Sequence, residues 1–470
     1  MQQLVSTDFY ILLGALAVGL LFRPSGNLLD IRYAFVVTVL LGLCGPSVLL
    51  LLTGDRVENA FIVPKLIPLV HRYATVCVLL FWVGYYAGRW RWWGKERETP
   101  PDLRLLPDDG QRLLVALLVL ATIPLVLEIV NYGTDYVFGE ASVRRGFYAQ
   151  NKTDKPLLEY TRVLGKALSF PVAVVAGVAW QQRRQKIYWL VPVLLSIPLV
   201  AYFSRGMFLS FVVFLLGACF RLPARKRLLY LAIASVFAMT SFLTGIAMRK
   251  YTANTGLAQY SNLFDQQGME VAPVKKNFDK PFSALIDATD ALSVATKVFD
   301  VGPRIEGRMW KGYLLVQLPI PSFLLPKGVP TTNLTDDLHY HGARFPYPLM
   351  GEMFVFFGWF GSLIYVFVGW FAGRTDRIIN DRDALSRRPY FSAILYGLVL
   401  FMIVREFHSG LRSSLRPTMY FFGAYLIWTM VRPRAVPVVR RDPLAERLRA
   451  LPPRIEVDRV YPSGEAGRSG

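Results

Sequence analysis

The sequence predicts an all-α polytopic membrane protein with about eleven transmembrane helices and one large, partly helical external loop. The chain has 470 residues, of which 53% are hydrophobic and only 18% are charged. A soluble globular chain of this size is less apolar. Apolar runs of the length that a bilayer needs, roughly 20 residues, recur along the chain. The series of apolar runs has one long interruption, the mostly polar segment 249–350.

The apolar runs predict eleven spans. The first run is not expected to be a cleavable signal, because no basic stretch precedes it and no small-residue cleavage site follows before Arg23 and Pro24. The predicted spans are 4–22, 34–52, 73–88, 112–130, 163–180, 187–203, 207–220, 228–247, 353–372, 390–404 and 417–431.

Basic residues in the short linkers predict the orientation. If the spans alternate, the Arg- and Lys-rich linkers and the basic tail share one side, which the positive-inside rule makes the cytoplasm. The formal net charge of +20 therefore reflects topology and contact with lipid headgroups, and nucleic acid is not an expected partner. The four linkers are 89–112, 181–187, 221–227 and 374–388. The outward segments are 131–162, 203–206, 249–350 and 405–416.

This topology predicts four regions. They are an N-terminal bundle of about eight spans at 1–248, an external loop at 249–352, about three further spans at 353–431, and a basic cytoplasmic tail at 432–470. The three cysteines, Cys44, Cys77 and Cys219, all lie in apolar runs. They are expected to be buried thiols without a disulfide framework.

The external loop is expected to be a partly structured cap. Apolar residues recur at helical spacing through 281–299, which predicts an amphipathic helix resting on the bundle or at the membrane interface. The proline-rich stretch 318–330 predicts an extended connector. The apolar face of the helix carries Phe282, Leu285, Ile286, Leu292, Ala295 and Phe299.

Arginines on the predicted outer side suggest a site for a multiply charged anion. Arg205 lies in the turn Ser204-Arg205-Gly206 between two apolar runs. It either reaches to the interface from a tight hairpin or faces a cavity or partner. Arginine binds phosphate oxygens in bidentate fashion and keeps its charge, so a lipid-linked phosphate or diphosphate is the expected ligand. The remaining candidates are Arg405, Arg412, Arg416, Arg344, Arg249, Arg145 and Arg144.

His339 and His341 are candidates for a general base that takes a proton from an attacking hydroxyl. Asp336, Asp337 and Glu352 compete for this role, although Glu352 is equally explained as an acid favoured by a helix N-terminus. Two histidines without an assembled third ligand are a weak metal signal, so no metal is predicted. No phosphate-binding loop or dinucleotide motif is present, and no cofactor is predicted.

The turn around Arg205, the single large loop, and the motifs Pro348-Leu349-Met350-Gly351-Glu352-Met353 and Phe357-Gly358-Trp359-Phe360-Gly361 resemble the bacterial O-antigen or oligosaccharide repeat-unit polymerases (Wzy type). The resemblance implies a fold like the C-class integral-membrane glycosyltransferases in a bacterial inner membrane, with the active site on the external face. It also implies a glycan on undecaprenyl diphosphate as donor, and possible partnership with a chain-length regulator and a flippase. One reported pattern of the family, an arginine followed eleven positions later by glycine, does not occur from Arg144, Arg145, Arg249 or Arg344.

Under this resemblance, Arg205, Arg405 and Arg412, with Arg344 next, are expected to hold the diphosphate. His339 or His341 is expected to act as the base or to orient the acceptor. Two alternatives stay open. One is an O-antigen ligase or another transferase with a lipid donor, and the other is a transporter or flippase for lipid-linked or anionic substrates. A transporter is less favoured because no internal repeat is evident in the sequence.

Overall fold

Every regular element that the structure describes is a helix. The computed structural model describes residues 6–22, 29–48, 63–90, 110–134, 156–201, 208–219, 222, 224–251, 291–301, 348–380, 389–406 and 419. The helices are α1 (Thr7–Leu21), α2 (Ile31–Val39), α3 (Ile67–Arg89), α4 (Gly110–Tyr132), α5 (Pro156–Arg183), α6 (Leu190–Ala201), α7 (Leu209–Cys219), α8 (Ala224–Tyr251), α9 (Ala291–Val301), α10 (Leu349–Phe357), α11 (Ile364–Asn380) and α12 (Pro389–Glu406).

Described helices overlap ten of the eleven predicted segments, and the segment 417–431 lies almost wholly outside the described residues. Among the described residues, four stretches are long and apolar enough to cross a membrane, namely 31–48, 64–89, 113–130 and 349–380. Shorter apolar helices account for α1, α6, α7 and the core of α12. The all-helical membrane architecture is thus supported, whereas the count of eleven spans is not confirmed.

Glycines bring α3 and α11 into backbone contact. Gly84 and Gly88 of α3 face the backbone of α11 at Val366 and Trp370, so that no Cβ fits at either glycine. Reciprocally, Gly369 and Gly373 of α11 face the backbone of α3. Each pair is spaced four residues apart, which is the small-residue pattern that lets two membrane helices approach closely.

Pairwise contacts give the relative directions of the helices. Asp8 pairs with Arg72 near the start of α1 and α3, and Trp82 donates to the carbonyl of Ala15 further along, so these two helices run parallel. In contrast, Phe170 packs on Phe401, and Gly397 faces Val174, so α5 and α12 run antiparallel. These directions agree with the predicted alternation of the spans.

The predicted span 353–372 falls within an apolar stretch long enough to cross a membrane, but it is not one continuous α-helix, because the chain breaks at Gly358. This glycine has φ +56° and ψ −138°, a conformation that side chains rarely allow. A 3₁₀ segment, Gly358–Leu363, then leads into α11. The backbone of Gly361 lies against the carbonyl of Met353, so α10 folds back beside this segment instead of extending α11.

The described core confirms that the cysteines are buried. Cys44, Cys77 and Cys219 are all buried, and none of the three is in a disulfide. The largest fully buried aromatic side chains include Tyr73 and Phe81 of α3, which places this helix at the centre of the packing. Helix α3 contacts both α1 and α11.

Candidate functional site

The two ends of the bundle carry different sets of polar groups. The α9 end is defined by Asp8 and Arg72 together with α9 itself. The Asp30 end is defined by Asp30 and Arg89, at the opposite termini of α1 and α3. Glu352, one of the predicted site residues, lies at the α9 end, and the structure adds a buried charged cluster at the Asp30 end.

Helix α9, which belongs to the segment predicted to be an external loop, is seated on the bundle, as the sequence predicts for this part of 281–299. The ring of Phe299 stacks on Phe354 of α10 with centroids 3.8 Å apart. Tyr73 of α3 meets both rings edge-on, at 5.4 and 5.2 Å. The backbone N–H of Val63 donates to Thr296 Oγ1 at 3.2 Å. The first half of the predicted helix, 281–290, lies outside the described residues.

Helix α10 carries Glu352, the one predicted catalytic residue among those described. Glu352 lies in the first turn and is partly exposed, whereas Leu349, Met350 and Met353 around it are buried. Its place agrees with both interpretations made from the sequence, because a helix N-terminus stabilises a carboxylate whether or not it takes part in chemistry. The structure adds that this turn is directly covered by α9.

Two predicted arginines lie in the last turns of described helices. Arg249 is near the end of α8 and Arg405 is near the end of α12. Tyr396 of α12 interacts electrostatically with Asp376 and with Arg227 near the start of α8. Both helices therefore start towards the Asp30 end and run away from it, so that Arg249 and Arg405 lie towards the α9 end.

The other predicted site residues lie outside the described residues, and the structure leaves their placement untested. They are His339, His341, Asp336, Asp337, Arg205, Arg344, Arg412, Arg416, Arg144 and Arg145. In the part of the chain that is described, no three His, Cys, Asp or Glu side chains group closely enough to hold a metal ion.

At the Asp30 end, Asp376 of α11 receives hydrogen bonds from two other helices. The backbone N–H of Ile31 donates to both carboxylate oxygens, at 2.9 Å each. The hydroxyl of Tyr85 donates to Oδ2 at 2.8 Å. Ile31 is the first residue of α2, so its N–H has no partner within the helix. Asp376 therefore acts as the N-cap of a helix more than 300 residues away in sequence.

Asp30 is the residue at the N-cap position of α2, but its carboxylate contacts other side chains and does not cap that helix. Arg89 donates to Asp30 Oδ2 at 3.3 Å, and Asn380 donates to Oδ1 at 2.8 Å. Arg32 adds a third contact, with 3.6 Å between its Nε and Asp30 Oδ2. The side chains of Asp30 and Arg32 are fully buried. Two carboxylates and two guanidinium groups balance in charge, which is how buried charges are tolerated.

Sequence reasoning missed this cluster, although signals for it were present. Arg89 was expected to be an ordinary charge of a cytoplasmic flank, and Asp376 fell beyond the predicted end of its span. The spacing of Asp376 and Asn380 puts both on one helix face. The glycine pairs of α3 and α11 are also visible in the sequence, and they bring this face against α3.

Comparisons with family models, with curated proteins and with solved structures found no match to this chain. The function therefore has to be argued from the residues and their arrangement alone.

Proposed function

We propose that this protein joins lipid-linked oligosaccharide units into a surface polysaccharide, as an integral-membrane glycosyltransferase. The observation that carries the proposal is the seating of α9 over the turn that holds Glu352. Because α9 packs on α10 and α3, this part of the polar segment 249–350 is a fixed component of the α9 end. An acid beside a docked helix, with two further helices that carry arginines and run towards the same end of the bundle, supplies the kinds of group needed for transfer from an anionic lipid donor.

The distribution of arginines supports a diphosphate-linked donor. Arg249 and Arg405 end helices that run towards the α9 end. Arg344 precedes Pro348 by four residues, and chain geometry keeps its Cα within about 14 Å of that proline. Pro348 directly precedes the turn with Glu352. Arginines and an acid can thus share one site.

The proposed reaction needs neither a metal nor a nucleotide. A hydroxyl oxygen of the acceptor glycan attacks the anomeric carbon of the donor and forms the new glycosidic bond. The bond from that carbon to the diphosphate breaks, and the polyprenyl diphosphate leaves with the electron pair. Glu352, His339 or His341 takes the hydroxyl proton. Arginines stabilise the charge that develops on the leaving group.

Substitution of Arg405 tests this proposal in cells. Arg405→Ala is expected to abolish long-chain glycan while the protein level stays normal, because one diphosphate ligand is lost. Arg374→Ala is the matched control, since Arg374 is an exposed residue near the Asp30 end of α11. Normal chain length in the Arg405 variant contradicts the proposal. In a deletion strain, single repeat units accumulate on lipid if the protein is a polymerase, and finished chains accumulate if it is a ligase.

One observation favours a transporter as the second candidate. Broken helices and buried charged residues are common at transport sites, and this chain has a break at Gly358 and a buried cluster around Asp376. The two features lie at opposite ends of α11, however, instead of meeting near its middle. Movement of a lipid-linked substrate across liposomes without bond formation would favour transport.

A further inference from the structure

We infer that α9 is a fixed wall that positions Glu352 and does not lift from the bundle to admit substrate. This inference deepens the proposed function and rests on it. It concerns two contacts, one between Phe299 and Phe354 and the other between Val298 and Gly351. Both join α9 to the helix that carries Glu352.

One face of α9 is buried as completely as the inward face of a helix in a protein core. Leu292, Ala295 and Thr296 are completely buried, and Phe299 is only 4% exposed. The rings of Phe299 and Phe354 are parallel to within 3°. A lid that opens in each cycle has few buried contacts, because local opening must be cheap. Lifting α9 would instead expose a continuous apolar surface.

The contact at Gly351 makes α9 a positioning element for Glu352. A Cβ at Gly351 would lie 3.2 Å from Val298 Cγ1, which is tighter than ordinary packing. Val298 therefore sits directly over the backbone next to Glu352. Any displacement of α9 towards α10 has to move this turn, and the carboxylate moves with it.

A compensating pair of substitutions tests this positioning role. Gly351→Ala is expected to lower kcat with KM unchanged, because its methyl group pushes the turn away from Val298. Val298→Ala removes Cγ1, and the double variant is expected to recover kcat. A melting temperature measured for each variant separates displacement from unfolding. Loss of kcat in the single variant without recovery in the double variant contradicts the role assigned to Val298.

Thiol labelling tests whether α9 stays seated, without any need for activity. Ala295→Cys places a thiol on the fully buried face, and Asp300→Cys places one at a position whose side chain is 53% exposed. With a water-soluble maleimide, Ala295→Cys is expected to react at least about tenfold more slowly than Asp300→Cys, because it reacts only when α9 opens. Wild-type protein gives the background, since its three cysteines are buried. Equal labelling rates would contradict a fixed wall.

A disulfide between α9 and α10 gives the final test. In Val298→Cys/Gly351→Cys the two Cβ atoms are expected 3.5 Å apart, within the range for a disulfide. The bond is expected to form on mild oxidation, and the oxidised protein should polymerise at the rate of the reduced protein. If oxidation stops polymerisation and a reductant restores it, α9 has to move and the inference fails. If the reduced variant and the wild type both form no polymer, the proposed function fails, and labelling still decides whether α9 is seated.

Discussion

Asp376 caps the first turn of α2 by accepting the Ile31 backbone N–H on both carboxylate oxygens, at 2.9 Å each. The cap links α11, the second-to-last helix of the described region, to α2 near the start of the chain. It is completed by Tyr85, which also accepts a hydrogen bond from Arg89 at 3.1 Å. Three helices, α2, α3 and α11, are thereby joined at the Asp30 end.

Replacement of Asp376 by Asn is expected to destabilise the bundle. The amide NH₂ would face the Ile31 N–H, so one acceptor is replaced by a second donor. Loss of a hydrogen bond to a buried charged acceptor costs about 1.5–3 kcal/mol. The melting temperature of the detergent-solubilised protein measures this. Asp300→Asn is the control, because its pair with Lys65 is exposed and little change is expected. An unchanged melting temperature for Asp376→Asn contradicts the capping role.

Arg89→Ala is expected to lower stability as well, since it leaves Asp30 fully buried with one charged partner fewer. Removing one partner of a buried ion pair costs about 3 kcal/mol or more. Arg72, also on α3, is the matched comparison. Its side chain is 64% exposed where it pairs with Asp8 of α1, so Arg72→Ala should change the melting temperature much less. Equal effects of the two variants would show that burial of the Asp30 cluster contributes little.

The close backbone contact between α3 and α11, which their glycines allow, leads to a separate prediction. Gly373→Ala places a methyl group against the backbone of Tyr85, and overpacking of this kind costs about 1–3 kcal/mol. Gly14→Ala in α1 is the control, because nothing lies within 4 Å of its added Cβ. There the better helix propensity of alanine should stabilise by up to about 1 kcal/mol. Similar melting temperatures for the two variants would contradict the close contact.

The sequence predicted the helical elements well, because apolar runs and the spacing of Leu292, Ala295 and Phe299 depend on local pattern alone. The break at Gly358 was not predicted. Hydropathy continues through 353–372 without interruption, and only the backbone conformation separates α10 from α11. A glycine in an apolar run is compatible with both outcomes.

The charged cluster forms through contacts between helices, which local sequence pattern does not predict. In the sequence Arg89 is one of several basic residues in a short linker, and only the packing of the helices places Asp30 and Asn380 beside it. For the predicted site, Glu352 was found in a helix N-terminus as expected, and Arg249 and Arg405 lie on helices directed to one end. The roles of these residues in catalysis stay predictions.

Purified protein in liposomes with lipid-linked repeat units tests the central claim most directly. The length of the glycan on the lipid is measured for the wild type and for Glu352→Gln. Asp300→Asn is measured in parallel, as a control for the loss of a carboxylate at the same end of the bundle. The account predicts chains longer than one repeat unit from the wild type and the control, and a strong reduction for Glu352→Gln. Wild-type protein that leaves every unit unjoined, or that only moves the units across the bilayer, contradicts it.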